Sequence, residues 1–377
     1  MNLKKNIFIA TIVATFLYTP LTIAETQKIN LSAIQKSANQ GDANAQFSLG
    51  YLYSQGEEVV QDYAKALEWY RKAADQGNNV AQLFLGISYA EGKGVPQDYI
   101  RAAEWYRKAA DQGNDVAQSL LGSIYFKGQG VPQDYTKALE WYRKAANQGN
   151  INAQFNLGMS YAEGQGVPQD YAKALEWYQK AADQGSPGAQ VNLGVLYANG
   201  QGTPKNYAKA LEWYLKAAEQ GSADAQTNLG RLYSKGQGVP QDYAKALEWY
   251  RKAAEQDNDS AQFNLALMYE NGQGVPKNYT QAAAWFRKAA DQGNVRAQFN
   301  LGMSYAEGQG VPKNYTQAAA WFRKAADQGD DNAQYNLATL YYRGLGVPKN
   351  INVAKQWYRK AAIQGNSEAK NFLDGLK

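Results

Sequence analysis

The chain has 377 residues, 45% of them hydrophobic and 19% charged, and carries a formal net charge of +5. It contains neither cysteine nor histidine, which excludes disulfide scaffolds, Cys/His zinc sites, thiol nucleophiles and the His-based catalytic triads. The near balance of interleaved charges argues against a nucleic-acid binder, which needs a clustered basic face.

The first 24 residues have the layout of a secretory signal peptide. Lys4 and Lys5 form a basic start, Ile7 to Tyr18 is an apolar run, Pro20 breaks it, and Thr22, Ile23 and Ala24 supply small residues before a cut after Ala24. The apolar core is shorter than the roughly 20 residues a membrane span needs. Cleavage removes two lysines and no acid and leaves a charge of +3. With no cysteine following, the sequence predicts an unanchored chain in the periplasm of a bacterium or outside the cell, not membrane-spanning once cut. Residues 25–43 then read as a lone N-terminal capping helix, centred on Leu31 to Asn39.

From Asn44 the sequence is one motif repeated nine times. Nine tryptophans, from Trp69 to Trp357, stand 36 residues apart, and there is no other Trp. A fixed period of this size marks a repeat array whose units bury their apolar faces against neighbours. The copies are numbered here one to nine by that tryptophan. In copy 1, Ala45, Leu49, Leu52 and Tyr53 line one face of a first helix that Gly56 ends. A Gly-x-Gly-Val-Pro turn follows in most copies, as at Gly92 to Pro96. A column of Asp and Asn only (Asp62, Asp98, Asp134, Asp170, Asn206, Asp242, Asn278, Asn314, Asn350) then caps a second helix. That helix buries Tyr63, Ala66, Leu67, Tyr70, Ala73 and Ala74 along one stripe with Trp69 at its edge, and it places Lys65, Glu68 and Lys72 toward water. Glu68 and Lys72, four apart, are expected to pair. Gly77 and Asn78 make the junction to the next copy very short. Copy 7 departs most, with Asp257 in place of the glycine at the junction before it, Ala266 in place of glycine and Glu270 at a small-residue position. Residues 44–366 therefore hold nine repeats, and 367–377 a C-terminal capping helix with polar Lys370 and Asp374. The predicted fold is all-α, a right-handed α-solenoid of stacked helix-turn-helix repeats of 36 residues.

These features resemble the Sel-one-like repeat family, a relative of the tetratricopeptide repeats. The resemblance is carried by Ala153-Gln154-Phe155-Asn156-Leu157-Gly158, Tyr161, Gly164 to Tyr171, Ala174 to Tyr178 and Ala181 to Gly185, and it extends over about residues 29 to 377. It implies an α-helical solenoid with a concave groove that serves as an adaptor in signalling, secretion, envelope assembly or host contact. Some secreted relatives are cysteine-rich and linked to penicillin binding or β-lactamase activity. The lack of any cysteine here departs from that subgroup.

Because the copies align without gaps, positions can be compared within the chain. The stripe of Ala45, Leu49 and Tyr53 hardly changes, whereas the stripe on the opposite side, Phe47, Tyr51 and Gln55, changes in every copy. Large apolar residues on this side, pointing away from the core of their own repeat, predict a binding groove lined by Phe47, Tyr51, Phe155, Met159, Phe263, Leu267, Phe299, Met303 and Tyr335, with Arg231, Lys235 and Arg343 selecting an acidic or carboxylate-bearing ligand. The expected function is a non-enzymatic scaffold or adaptor binding a protein or extended peptide on its concave face, with no catalytic residue, cofactor or metal. The alternatives are an envelope enzyme of the β-lactamase or penicillin-binding type, and binding of an anionic envelope or cell-wall polymer, suggested by the shift from Gln97-Asp98 to Lys-Asn at Lys205, Lys277, Lys313 and Lys349.

Overall fold

A computed structural model describes residues 30–375. The expected signal segment, 1–24, lies outside the described residues. Among the described residues there are 20 helices and no strand, arranged as an all-α solenoid of repeated helix pairs. They form two compact units, Met1–Ala117 with Gln129–Pro132, and Gln118–Gly128 with Gln133–Lys377.

In the first unit Leu31–Asn39 packs on Ala43–Gln55, the first helix of copy 1, which packs on its second helix, Tyr63–Asp75; Asn79–Glu91 and Tyr99–Asp111 continue the order. Helix ends sit where the capping columns place them. Asp62 is in an extended conformation and its Oδ1 accepts from the Lys65 amide at 3.0 Å. Asn78 does the same for Ala81 at 2.8 Å. Gly92 closes the first helix of copy 2 in the left-handed conformation, φ 72°.

Inside each pair, an aromatic ring of the second helix lies against a small residue of the first, glycine in all copies but 7 and 9, which carry Ala266 and Ala338. Tyr70 is 2% exposed, and a Cβ added to Gly50 would stand 2.8 Å from its ring. The glycine is thus a seat for the ring, and burying a side chain of this size contributes about 1.5–3 kcal/mol.

A buried carboxamide ladder ties the helices together. Gln82 Nε2 donates to the Ala74 carbonyl at 3.1 Å, and Gln82 Oε1 accepts from Gln112 Nε2 at 2.8 Å. One glutamine thereby joins the preceding second helix, its own first helix and the end of its own second helix.

The second unit repeats this frame from Tyr135–Asn147 to Ile351–Ile363 and ends in the short helix Ser367–Asp374. Its ladder runs through Gln154, Gln190, Gln226, Gln262, Gln298 and Gln334, each 1–5% exposed. Buried polar groups persist only when paired, and both ends of each amide are paired here. Asp257, in place of the junction glycine between copies 6 and 7, takes φ 61°, so the turn keeps the left-handed conformation.

Lys72 is exposed, as expected, and has a further contact: in all nine copies the equivalent lysine lies over the repeat's tryptophan, Nζ 3.7–4.5 Å from the ring centroid. The indole face attracts the ammonium while the lysine stem covers apolar surface. The expected Glu68–Lys72 pair is corrected: among the described residues this type of ion pair closes only at Glu212–Lys216 and Glu248–Lys252, where the lysine lies over its tryptophan as well.

Candidate functional site

The variable stripe of the first helices lies closer to the core than its sequence pattern predicts. The ring or chain at its first position rests on the buried aromatic of the same repeat. Phe47 is 5.8 Å from Tyr70, Phe155 5.8 Å from Tyr178, Phe263 5.9 Å from Phe286, Phe299 5.8 Å from Phe322 and Tyr335 5.6 Å from Tyr358. These five therefore do not point away from the core of their own repeat. All but Phe263, which is buried, are half-buried. The reason is geometric: a small seat residue, glycine or at Ala266 and Ala338 alanine, lets the core ring sit low, and its outer face is then covered by whatever precedes the seat by three positions.

In the first unit Phe47 and Tyr51 form a ring cluster with Phe84, at 5.3 and 6.0 Å. In the second unit Phe155 and Met159 pack with the core of copies 4 and 5, and Leu267, Phe299, Met303 and Tyr335 with that of copies 7 to 9, leaving each partly exposed. Arg343 is exposed at the end of its helix.

Copies 5 and 6 break the pattern. Val191 and Thr227 stand where the neighbours carry phenylalanine, and Thr227 turns its hydroxyl to the Ala223 carbonyl at 2.8 Å. Space is left over the core ring Tyr250. A concavity of about 710 Å³ opens here, lined by Val191, Thr227, Tyr250 and Phe263 at its apolar wall and by Asn228, Arg231, Lys235, Asn264 and Arg296 among its polar groups. It lies wholly in the second unit and draws on four consecutive first helices, Pro187–Asn199, Ala223–Lys235, Asp259–Asn271 and Val295–Glu307. A smaller hollow of about 180 Å³, lined by Tyr207, Leu232 and Gln237, shares Arg231 and Lys235 with it.

Three of the twelve predicted site residues, Arg231, Lys235 and Phe263, therefore meet in one place. The other nine lie along the same columns but not in this concavity. Arg296, Asn228 and Asn264 are not among the residues the sequence predicted. Arg296 stands one turn before Phe299, in a column that also varies between copies: Asn44, Val80, Val116, Asn152, Gly188, Asp224, Ser260, Arg296, Asn332. That variation was visible; following a single stripe of the helix left it out.

The polar groups are held unevenly. Arg231 Nη2 donates to Asn228 Oδ1 at 2.8 Å. Asp224, the one carboxylate in the lining, accepts from Asn258 Nδ2 at 2.9 Å. Burial pushes the Tyr214 hydroxyl up to about 12, with the nearby positive charge of Arg231 opposing the shift. Burial also raises Tyr250, opposed by its bond to Ser234 and then by Arg231. Among the described residues no group of His, Cys, Asp and Glu side chains is placed to hold a metal ion. The arrangement offers cations, carboxamides and an apolar wall, which is the chemistry of holding a ligand.

A family model described as Sel1 repeat matches nine consecutive segments, 43–78, 79–114, 115–150, 151–186, 187–222, 223–258, 259–294, 295–330 and 331–366. The solved structure of a Sel1 repeat protein from Oxalobacter formigenes is similar at 37% identity and a TM-score of 0.66, covering 84% of this chain and 95% of that one. A protective antigen of uropathogenic Escherichia coli displaying an SLR fold is 35% identical, with 93% and 91% covered and a TM-score of 0.48. The secretory immunoglobulin A-binding protein EsiB of Escherichia coli is 40% identical over 69 residues, 18% of this chain. The match spans 14% of that relative's own length.

Proposed function

Because the chain belongs to the Sel1 repeat family, whose members are generally protein-interaction scaffolds, we propose that it is a non-enzymatic scaffold that docks an extended segment of a partner protein along the first-helix face of its second unit. No catalytic family is indicated for it. The observation that carries the reading is the concavity of copies 5 to 8: it opens where Val191 and Thr227 stand in place of the phenylalanines of the neighbouring copies, and Thr227, Arg231 and Arg296 in its lining recur at the same position in no other copy. Fold alone does not assign function, and a shaped recess with a few placed polar groups does so better.

The signal-like start further supports export to the periplasm or beyond, and a mature mass beginning at Glu25 in the exported fraction is the result expected.

Photo-cross-linking in the producing cell tests the docking reading. A photoreactive side chain placed at Thr227, Asn264 or Lys235 should capture a partner, and the same group at Glu212 or Glu248 on the second helices should not. Equal capture from both sets of positions would leave the first-helix face without a special role.

A further inference from the structure

Several lysines elsewhere in the second unit are paired with carboxylates. Lys173 pairs with Asp170 at 3.3 Å, Lys245 with Asp242 at 3.7 Å and Lys252 with Glu248 at 2.8 Å. Arg231 and Lys235 have no carboxylate within 4 Å among the described residues, although both are exposed and reach into the same concavity as Arg296. The one acid there, Asp224, is already engaged by Asn258. Arg231 instead holds a neutral acceptor, Asn228 Oδ1. Close by, the buried Tyr214 hydroxyl makes no hydrogen bond of good geometry, and the Arg231 side chain is the group that opposes the effect of its burial. The polar groups around Arg231 are thus left short of an acceptor.

A second feature bears on what kind of ligand supplies it. Asn228 and Asn264 line the concavity one repeat apart. They belong to a column that reads Asn156, Asn192, Asn228, Asn264, Asn300 and Asn336 in copies 4 to 9, where copies 1 to 3 carry Ser48, Phe84 and Leu120. Asn300 and Asn336 donate to carbonyls of their own helices at 3.0 and 2.9 Å. A carboxamide offers a donor and an acceptor side by side, the complement of a peptide unit.

We infer that the concavity of copies 5 to 8 receives an acidic segment of a partner protein, its side-chain carboxylates on Arg231, Lys235 and Arg296 and its main-chain amides on Asn228 and Asn264. The inference rests on the scaffold reading and names its ligand class. A carboxylate gives Arg231 a charged, bidentate acceptor in place of a neutral one. It also frees Asn228 to meet the incoming backbone. The volume, about 710 Å³, lies within the roughly 300–1,000 Å³ of ordinary ligand sites. The apolar wall of Val191 and Phe263 and the paired amides favour a peptide over a nucleic-acid strand.

The test is fluorescence anisotropy with the full chain and three labelled probes: a short peptide rich in Asp and Glu, the same peptide with Asn and Gln at every acid, and a single-stranded oligonucleotide. The acidic peptide should bind about tenfold more tightly than its amide twin, and the preference should shrink as salt rises. Arg231→Glu with Lys235→Glu should abolish the preference without changing helicity or melting, and Lys235→Gln alone should reduce it. Equal affinity for the two peptides, tighter binding of the oligonucleotide, or a preference that survives the double charge reversal overturns the inference. If cross-links from Thr227 and Asn264 to a partner persist in that case, the scaffold reading stands and only the ligand class falls.

Discussion

Asp62, Asp134 and Asp170 open their helices by accepting from the amides of Lys65, Lys137 and Lys173 at 3.0, 2.9 and 3.0 Å. That amide bond, more than the lysine charge beside it, holds each carboxyl below its ordinary value. A folded-state pKa below the unfolded one stabilises the fold fully above the unfolded value, and the contribution is lost as pH falls through the folded value. The caps should therefore weaken as the medium is acidified below about 3.9, the usual Asp value. Asn206, Asn278, Asn314 and Asn350 make the same bond without titrating. Replacing the three aspartates by asparagine should leave melting at neutral pH nearly unchanged and flatten its decline on the acid side. Melting temperature followed by circular dichroism decides it: curves that run parallel to the wild type at low pH would remove these carboxyls from the acid response. This column could be read from the sequence because only two residue types occupy it, both good N-caps. The glutamine ladder could not, since a glutamine recurring on a helix looks like any polar surface residue until its neighbours are placed.

Two kinds of glycine recur in each helix pair, and the chain treats them differently. Gly158 seats the Tyr178 ring, with a hypothetical Cβ 2.5 Å from it. Copies 7 and 9 carry Ala266 and Ala338 at the same place, both fully buried over Phe286 and Tyr358. The seat thus tolerates one methyl, and alanine gains about 1 kcal/mol of helix propensity. Gly202 in the turn has φ 70°, and its Cβ would stand 2.4 Å from the carbonyl carbon of Tyr171 in the preceding copy. Backbone cannot swing aside as a ring can. Gly158→Ala is expected to change stability by less than about 1.5 kcal/mol, and Gly202→Ala to cost about 3 kcal/mol or more, since a left-handed strain adds to the clash. Denaturant midpoints compare them directly, and equal losses would show that the turn is not the tighter junction. Here too the sequence carried part of the answer. In copy 1, which has no complete copy before it, Glu58 occupies the turn position with φ 60° and is exposed. The helices and their order were legible from period and caps. The recess was not, because it depends on which variable side chains are spent covering core rings: Phe299 and Met303 cover them, whereas Thr227 does not.

In an array each repeat leans only on its neighbours, so the stability of the second unit is set joint by joint. Several joints carry an arginine reaching the tyrosine of the next copy, as in Arg143 with Tyr161, Arg251 with Tyr269 and Arg323 with Tyr341. Gln179 and Leu215 hold the arginine position in copies 4 and 5, and Gln179 turns to Asp183 at 2.8 Å within its own helix. The joint between copies 4 and 5 therefore depends more on the ladder, where Gln190 Nε2 donates to Ala182 at 3.2 Å and Oε1 accepts from Gln220 at 2.9 Å. Gln190→Leu keeps the volume but removes both ladder bonds, leaving the Ala182 carbonyl to the Gly185 amide and the exposed Gln220 amide to water, at about 0.5–1.5 kcal/mol for each bond lost. At this interior joint the loss should uncouple the copies on either side and split the unfolding of the second unit into two transitions. The same change at Gln334 removes the equivalent bonds to Ala326 and from Gln364, yet only copy 9 and the last short helix lie beyond it. There the main transition should hold its midpoint, and hydrogen exchange should speed up only after about residue 331. If both variants instead shift a single transition by the same amount, stability is shared along the whole unit, and the joint-by-joint description fails.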